Sequence, residues 1–249
     1  MANQPPSQMN PPSAQRQLAL DLQLQAPASL ANFIPGRNLE CLSVLTSLAA
    51  GKREHRFVYL WGSQGSGRSH LLRALTGDGR MIEPDSAPHQ FQFDQQHRLY
   101  LADDVDEFDE TAQQALFHLY NQVLATPSVA LVCTGGQPPR SLKLREDLRT
   151  RLGWGLVFEL HLLDDHDKSL ALQAMADERG VALAPDVLPW MLAHRSRDIR
   201  SLVAEFDALD RFALACKRPI TLALVREWLA GEQQNDASRQ AFWPPSGGC

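Results

Sequence analysis

The residues of this sequence that could do chemistry start with the stretch LWGSQGSGRS at 60–69. Gly62, Gly67 and Ser69 have the spacing of the phosphate-binding loop G-x-x-x-x-G-K-[ST], but Arg68 occupies the lysine position. Backbone N–H groups in such a loop favour bound phosphate, and Ser69 would reach Mg²⁺. Arg68 is a planar cation that can hold phosphate bidentately but suits phosphate transfer less well than an ammonium group. The pattern predicts tight nucleotide binding with poor intrinsic hydrolysis; the alternative is a plain strand–turn–helix corner.

Asp103 and Asp104 follow the apolar run LYLA, within the segment 98–108. An apolar strand that ends in paired carboxylates is typical of the second motif of a nucleotide site, which organises Mg²⁺. We therefore expect Ser69 and Asp103 to contact a Mg²⁺ ion that arrives with the nucleotide. The alternative is a strand end whose carboxylates are simply solvated.

These residues need a scaffold of alternating strands and helices, and the hydrophobic pattern predicts one. Four apolar runs are predicted to be strands: 56–62, 98–108, 129–136 and 156–160. The first and third of these are predicted to be buried. Helices are predicted between them at 69–77, 109–126 and 144–155. Alternating strands and helices imply a mainly parallel sheet, so the predicted fold class is α/β, like that of P-loop NTPases.

The second half of the chain is predicted to form a small all-helical lid at 163–231. Helical patterns occupy 164–180, 184–195, 196–216 and 221–231. The nucleotide-binding base before the lid is predicted at 29–162. Residues 232–249 are expected to form a flexible tail.

The overall composition excludes several classes of protein. The chain has 249 residues and a formal net charge of -5, whereas a general nucleic-acid binder needs clustered Lys and Arg. No apolar stretch approaches the length of a transmembrane helix, and the N-terminus lacks the pattern of a secretory signal. The four cysteines form no C-x-x-C pair, so we expect buried thiols in a reducing cytoplasm rather than zinc ligands or disulfides.

The N-terminal segment combines a polar arm with a short apolar repeat. Residues 1–16 are rich in Pro, Gln, Ser and Asn and are predicted to be disordered. They lead into a motif at 17–24, in which Gln17 offers an amide for hydrogen bonds. Its apolar side chains are Leu18, Leu20 and Leu22. We predict a docking peptide; the alternative is an edge strand, because Leu24 continues the period of two.

Together these motifs resemble the Hda family, the short homologues of the replication initiator DnaA that act as its regulatory inactivators. The resemblance is carried by GRSH at 67–70, LVCTGGQPPRSL at 131–142, LRTRLGWGL at 148–156 and SRDIRSLVAEFDALD at 196–210. It covers roughly residues 17–230 and implies the AAA+ fold, a nucleotide-binding base followed by a helical lid. The arginine in the lysine position is a further feature that the family shares.

The resemblance assigns roles to particular residues. The segment on the adenine side of the nucleotide would be Phe33, Ile34, Pro35 and Asn38. The phosphates would be held by Gly62, Gly65, Gly67, Arg68, Ser69 and His70. Asp103 and Asp104 match the Walker B pair, and Arg200 matches the lid arginine called sensor 2. The implied ligand is ADP or ATP with Mg²⁺.

Arg151, in TRLGWG, matches the arginine finger of the family. The resemblance implies that Arg151 enters the ATP site of DnaA, where the partner's ATP is then hydrolysed and the initiator is inactivated. A finger acting in trans raises hydrolysis by about 10³–10⁵-fold. The alternative is an ordinary surface salt bridge, since Arg145 and Arg149 show that arginine is common in this stretch.

The same resemblance implies further partners. QLALDL at 17–22 resembles the peptide by which Hda binds the sliding clamp, the beta subunit of DNA polymerase III. After the lid we expect no room for the DNA-binding domain of DnaA, and therefore no direct sequence-specific DNA binding. Intrinsic ATPase activity is expected to be weak or absent. Head-to-tail self-association into a homo-oligomer is compatible with an AAA+ module.

Two departures from the family pattern accompany these expectations. The segment between Leu75 and Leu99 is short, so its strand and helix are expected in reduced form. Gly136 stands where the sensor 1 strand of the family ends in a polar or acidic residue, and Thr134 could partly substitute. The alternative functions are an AAA+ helicase-loader-like ATPase and a nucleotide-bound clamp scaffold.

Overall fold

The computed structural model describes residues 27–241 apart from 78, 196 and 197, with the backbone alone for 232–241. Its centre is a sheet of five strands: β1 Phe57–Trp61, β2 Gly79–Ile82, β3 Leu99–Ala102, β4 Ala130–Gly135 and β5 Leu156–Glu159. Their order is β2-β3-β4-β1-β5, and every pairing is parallel. The carboxyl ends of all five strands therefore lie at one edge of the sheet, and the predicted α/β class is confirmed.

Helices cover both faces of the sheet. They are α1 Leu39–Ala49, α2 Arg68–Ala74, α3 Glu110–Ala125 and α4 Glu146–Leu152. Short 3₁₀ segments lie at Gly36–Asn38, Pro88–Phe91, Val105–Glu107 and Pro139–Ser141. Helix α1 is absent from the elements predicted above, although its buried side chains have helical spacing: Cys41, Leu45 and Leu48.

Alternation along the strands divides the core of the base into two layers. In β1, Val58 and Leu60 join the cluster formed by α1 and α2, whereas Tyr59 joins the cluster formed by α3 and α4. Strands β3 and β4 are buried along their whole length. Because side chains on both faces must then be apolar, these strands are continuous apolar runs that can be recognised in the sequence.

The segment between α2 and β3 is reduced, as its length predicts. It contains β2 at the edge of the sheet and, instead of a full helix, the 3₁₀ turn Pro88–Phe91. Pro84 and Pro88 lack the backbone N–H that a helix interior needs. Strand β2 is the reduced strand expected in this segment, and it is not among the four apolar runs because its sequence GRMI is too polar.

The lid consists of α5 Asp165–Glu178, α6 Val187–His194, α7 Ile199–Cys216 and α8 Leu222–Ala241. These helices enclose an apolar core of their own, in which Leu172, Phe206 and Leu224 are fully buried. The side chain of Asp198 accepts a hydrogen bond from the backbone of Ser201 and so caps α7. The predicted all-helical lid is confirmed.

Helix α8 continues to Ala241, which corrects the end predicted at 231 and part of the tail predicted at 232–249. Gly231 lies inside the helix. An isolated glycine lowers the stability of a helix by only about 1 kcal/mol relative to alanine, so it does not have to end one. The segment EQQNDASRQA that follows contains no proline and several good helix formers. Within the described part of the chain, no helix is long and apolar enough to cross a membrane.

Candidate functional site

The glycine-rich loop connects the end of β1 to the start of α2, as the sequence predicts. Gly65 and Gly67 have φ of +84° and +98°, a backbone region that side-chain-bearing residues rarely adopt. A Cβ atom at Gly62 would lie 2.6 Å from the carbonyl oxygen of Leu160. The loop therefore needs glycine at all three positions, for its turn or for close backbone packing.

Ser66 supplies the clearest sign that this loop fits a polar ligand. Its hydroxyl is buried and has no hydrogen-bond partner among the described residues. A buried hydroxyl without a partner is costly unless a ligand or water satisfies it. Together with the helix N-terminus at Arg68, the loop has the donors and the shape that a phosphate group requires.

Arg68 pairs with the second carboxylate of the Asp103–Asp104 pair. Its Nη1 atom lies 3.0 Å from Oδ1 of Asp104, and only 14% of the Arg68 side chain is exposed. Burial raises the pKa of Asp104 above its ordinary value, while the charge of Arg68 opposes that rise. The Nη1 atom is buried and, apart from this ion pair, makes no hydrogen bond with any described residue.

Asp103 is held by the neighbouring strand. Thr134 in β4 donates a hydrogen bond from Oγ1 to Oδ1 of Asp103, at 2.5 Å, and accepts one from the backbone N–H of Asp104, at 2.9 Å. Both Asp103 and Thr134 are buried. Thr134 thus holds the carboxylate of Asp103 and the backbone of Asp104, and Oδ2 of Asp103 stays clear of these bonds. Among the described residues, no group of three or more His, Cys, Asp or Glu could hold a metal by itself.

Asp106 is a residue of this site that the sequence reasoning missed. Its Oδ2 atom accepts a hydrogen bond from the backbone N–H of Gly136, at 3.0 Å. A Cβ atom at Gly136 would lie 3.0 Å from that oxygen and 3.8 Å from Nη1 of Arg68. Asp106, in the 3₁₀ turn after β3, is thus bonded to the backbone of Gly136, and the acidic run DDVDE was the signal for it.

The predicted adenine-side segment lies next to the loop. Phe33 packs on Gly67, where an added Cβ would lie 2.7 Å from its ring, and its ring centroid is 5.7 Å from that of His70. Ile34 and Pro35 are half-buried. The structure thus brings this apolar segment to the phosphate-binding loop.

Asn38 has a structural task within the same segment. Its side-chain amide donates to the carbonyl of His161, at 2.9 Å, and accepts from the N–H of His161, at 2.8 Å. The residue is 4% exposed. Since both ends of the amide are bonded to backbone that follows β5, Asn38 positions the segment and does not present a free group to a base.

His70 lies in α2 and Arg200 lies in the lid, and the positive charge of Arg200 acts on the pKa of His70. The Nε2 atom of His70 lies 3.1 Å from the carbonyl oxygen of Ser29. Burial lowers the pKa of His70, and the positive charges of Arg200 and Arg73 lower it further. Arg200 lies at the start of α7, and its role as the sensor 2 arginine stays a prediction. Its Nε atom lies 3.8 Å from Oδ1 of Asp198.

Arg151 lies at the amino-terminal ends of the strands, whereas the phosphate-binding loop lies at their carboxyl ends. It is at the end of α4, in the chain just before β5, and it lines a small cavity together with Phe57 and Val58 at the start of β1. The phosphate-binding loop follows the other end of β1, about 13 Å further along the strand at about 3.3 Å per residue. The side chain of Arg151 is thus separated from the nucleotide site of its own chain.

Aromatic rings, rather than a carboxylate, surround Arg151. Its guanidinium carbon lies 4.1 Å from the ring centroid of Trp154, 5.7 Å from that of Tyr120 and 6.0 Å from that of Phe117. Within the described part of the chain, no carboxylate forms an ion pair with Arg151. Arg145 in the same open groove of about 750 Å³ does form one, with Asp147 at 2.9 Å. The salt-bridge role considered for this stretch applies to Arg145.

The predicted clamp motif lies outside the described residues. Gln17, Leu18, Leu20 and Leu22 all precede Pro27, where the described part begins. Their role stays a prediction.

Comparison with known families identifies the lid. Residues 165–229 match the family model described as "Hda, lid domain". That range contains α5, α6 and α7 and the first part of α8.

Comparison with solved structures identifies the fold. A structure of the replication initiator DnaA bound to AMPPCP and single-stranded DNA is 19% identical, with a TM-score of 0.62; the match covers 75% of this chain and 66% of that one. Domain III of Thermotoga maritima DnaA is 17% identical, with a TM-score of 0.60, covering 80% and 96%. The Holliday junction branch migration motor RuvB of Thermotoga maritima is 17% identical, with a TM-score of 0.56, covering 81% and 70%. The matches to solved structures thus show the fold of this chain, and the lid match shows that residues 165–229 resemble the lid of Hda.

Proposed function

We propose that this chain, whose lid matches the Hda lid model and whose fold matches that of DnaA, switches DnaA off after replication begins. It does so by stimulating hydrolysis of the ATP bound to DnaA while it is itself bound to the sliding clamp. The observation that carries this proposal is the position of Arg151. Its guanidinium is free of carboxylates and lies at the sheet edge opposite its own phosphate-binding loop.

That position suits an arginine finger that acts on another chain. Phosphoryl transfer builds negative charge on the transferring oxygens, and a guanidinium beside them stabilises it. Arg151 cannot serve its own loop, because the length of β1 separates them. Docking of this edge against the nucleotide site of DnaA would bring Arg151 to the partner's ATP.

The nucleotide of this chain is proposed to be a structural ligand, ADP or ATP, with little or no turnover. The phosphates would be held by the backbone of the loop, by Ser66 and by Arg68. Mg²⁺ bound with the nucleotide would neutralise phosphate charge, and Ser69 and Asp103 offer it oxygen ligands. Poor turnover is expected because Arg68 already neutralises Asp104, the carboxylate in the position that organises the attacking water.

The clamp is proposed to bind residues 17–22. In this arrangement the docking peptide holds the protein on clamp-loaded DNA, where DnaA is nearby. Tethering of this kind raises the local concentration of the finger without requiring tight binding to DnaA itself.

The experiment that tests this function asks which protein hydrolyses ATP. DnaA loaded with ATP is mixed with clamp on DNA and the full-length chain, and phosphate release is followed; the chain alone with ATP is the control. Accelerated release only in the mixture supports the proposal. Release by the chain alone would instead indicate a loader-like ATPase, and clamp binding without accelerated release would indicate a scaffold.

A further inference from the structure

Trp154 is a large aromatic residue whose exposure needs an explanation. It is 61% exposed, in the turn between α4 and β5, and its backbone N–H donates to the carbonyl of Arg151 at 3.1 Å. Gly155 fixes the turn, because a Cβ atom there would collide with the backbone of Phe57. The backbone that carries the ring of Trp154 is therefore fixed beside the end of α4.

The contact that Trp154 makes is with the guanidinium of Arg151, 4.1 Å from its ring centroid. Such a stack orients the planar cation without occupying its N–H donors. A carboxylate in the same place, such as the one Asp147 presents to Arg145, would both neutralise the charge and compete with phosphate for those donors. An aromatic face is thus the kind of support that leaves the full cation free to act on an incoming phosphate.

We infer that Trp154 is a positioning residue, which holds the guanidinium of Arg151 in the orientation that acts on the partner's ATP. This inference rests on the proposed function. The ring centroids of Tyr120 and Phe117 lie 5.7 and 6.0 Å from the guanidinium carbon of Arg151. These two rings limit where the side chain of Arg151 can move, while Trp154 sets the orientation of the guanidinium.

The first test measures the stack in the chain alone, without DnaA. In the full-length protein labelled with ¹⁵N-arginine, the Nε–H resonance of Arg151 is assigned with Arg151→Lys. We expect a ring-current shift that Trp154→Leu abolishes and Trp154→Phe retains in part. An Arg151 resonance that Trp154→Leu leaves unchanged would overturn the inference.

The second test separates positioning from simple contact. We expect Trp154→Leu to lower the maximal stimulated rate of hydrolysis by DnaA about fivefold, the size that a partly exposed cation–π contact supports. The concentration that gives half-maximal stimulation should change less than twofold, and Trp154→Phe should recover most of the rate. A raised half-maximal concentration with an unchanged maximal rate would make Trp154 a contact residue and contradict the inference.

The matched control is Leu214→Ala, which truncates another exposed apolar residue, 69% exposed, on the lid. It should leave both the resonance and the stimulated rate unchanged, and thermal unfolding followed by circular dichroism checks that each variant is folded. A wild-type chain that shows the ring-current shift but does not stimulate DnaA would overturn the proposed function and the catalytic consequence of Trp154 with it. The two failures are therefore distinguishable.

Discussion

Arg68, which stands in the lysine position of the phosphate-binding motif, makes contacts that a lysine would make less well. The guanidinium contacts Asp104 at 3.0 Å and lies beside the backbone position of Gly136, where Asp106 supplies a second carboxylate. A planar fork can face an acid on one side and a phosphate on the other, which a single ammonium on a flexible stem does less well. We therefore expect this site to bind nucleotide and to hydrolyse it poorly.

Removal of Arg68 is therefore expected to weaken nucleotide binding. Arg68→Ala should raise the Kd for ADP about tenfold to a hundredfold, the loss of a charge-assisted contact worth about 1.5–3 kcal/mol. Isothermal titration calorimetry measures it. The control is Arg73→Ala on the same helix, whose half-exposed side chain is 3.8 Å from Glu83. Equal affinities for ADP in wild type and Arg68→Ala would contradict the account.

Asp104 gives a prediction about pH. Burial raises its pKa, and Arg68 is the first of the charges that act on it, in the opposite direction. Because the folded pKa lies above that of the unfolded chain, the contribution of this carboxyl to stability is fully present below the unfolded pKa and is lost as the pH rises through the folded pKa. Arg68→Ala should raise the pKa of Asp104 further, as measured by ¹³C NMR of the carboxyl group. A lowered pKa in that variant would contradict the assignment.

The elements divide the chemistry between the two edges of one sheet. The carboxyl ends of β1, β3 and β4 bring together the phosphate-binding loop, the paired aspartates and Thr134. The turn before β5 places Arg151 at the other edge. Because every strand is parallel, residues that follow strands and residues that precede them are kept apart by the strand length.

Asn38 is expected to hold the adenine-side segment to this framework. Asn38→Ala removes two hydrogen bonds and leaves the backbone N–H and C=O of His161 without partners. We expect the free energy of unfolding in urea to fall by about 2 kcal/mol. Gln114→Ala, at an exposed position of α3, is the control and should change it by less than about 0.5 kcal/mol. A change in Asn38→Ala no larger than in the control would contradict this role.

The sequence alone predicts the buried strands and the loop between β1 and α2 because their signals are local. Continuous apolar runs and fixed glycine spacing are visible without knowledge of the fold. Strand β2 is expected only as a reduced strand without bounds, since an edge strand needs few apolar residues, and the end of α8 is missed because Gly231 resembles a stop signal. In each case the neighbouring elements decide the outcome.

The roles of Asp106 and Trp154 could not be predicted for a different reason. Asp106 reaches Gly136 only because β3 and β4 are adjacent, and Trp154 reaches Arg151 only because the turn is packed against β1. Contacts of this kind depend on side-chain direction and on the order of the strands. The resemblance to Hda places Arg151 in the sequence, whereas its separation from its own loop comes from the structure.

The proposed adaptor role would use separate parts of the molecule. The phosphate-binding loop lies in the base, Arg200 lies in helix α7 of the lid, and the base presents Arg151 on a separate surface. The proposed docking peptide lies before the described part of the chain. We thus expect clamp binding, nucleotide binding and the action of Arg151 to be separable by mutation.

Clamp binding tests that separation. Replacement of Gln17, Leu18 and Leu20 by Ala together should abolish binding to the clamp in surface plasmon resonance. The affinity for ADP and the melting temperature should stay as in wild type, because these side chains precede the described base. Arg151→Ala, in contrast, should bind the clamp normally. Clamp binding that survives the triple replacement would refute the assignment of the motif.

The measurement that tests the central claim most directly is phosphate release by DnaA loaded with γ-labelled ATP. The DnaA is mixed with clamp on DNA and one of three forms of this chain: wild type, Arg151→Ala or Arg145→Ala. The two arginines line the same groove, but Arg145 is bound by Asp147 and Arg151 is not. The account predicts that wild type and Arg145→Ala accelerate phosphate release equally, whereas Arg151→Ala leaves it at the unstimulated rate. Acceleration by Arg151→Ala equal to that of wild type would contradict it.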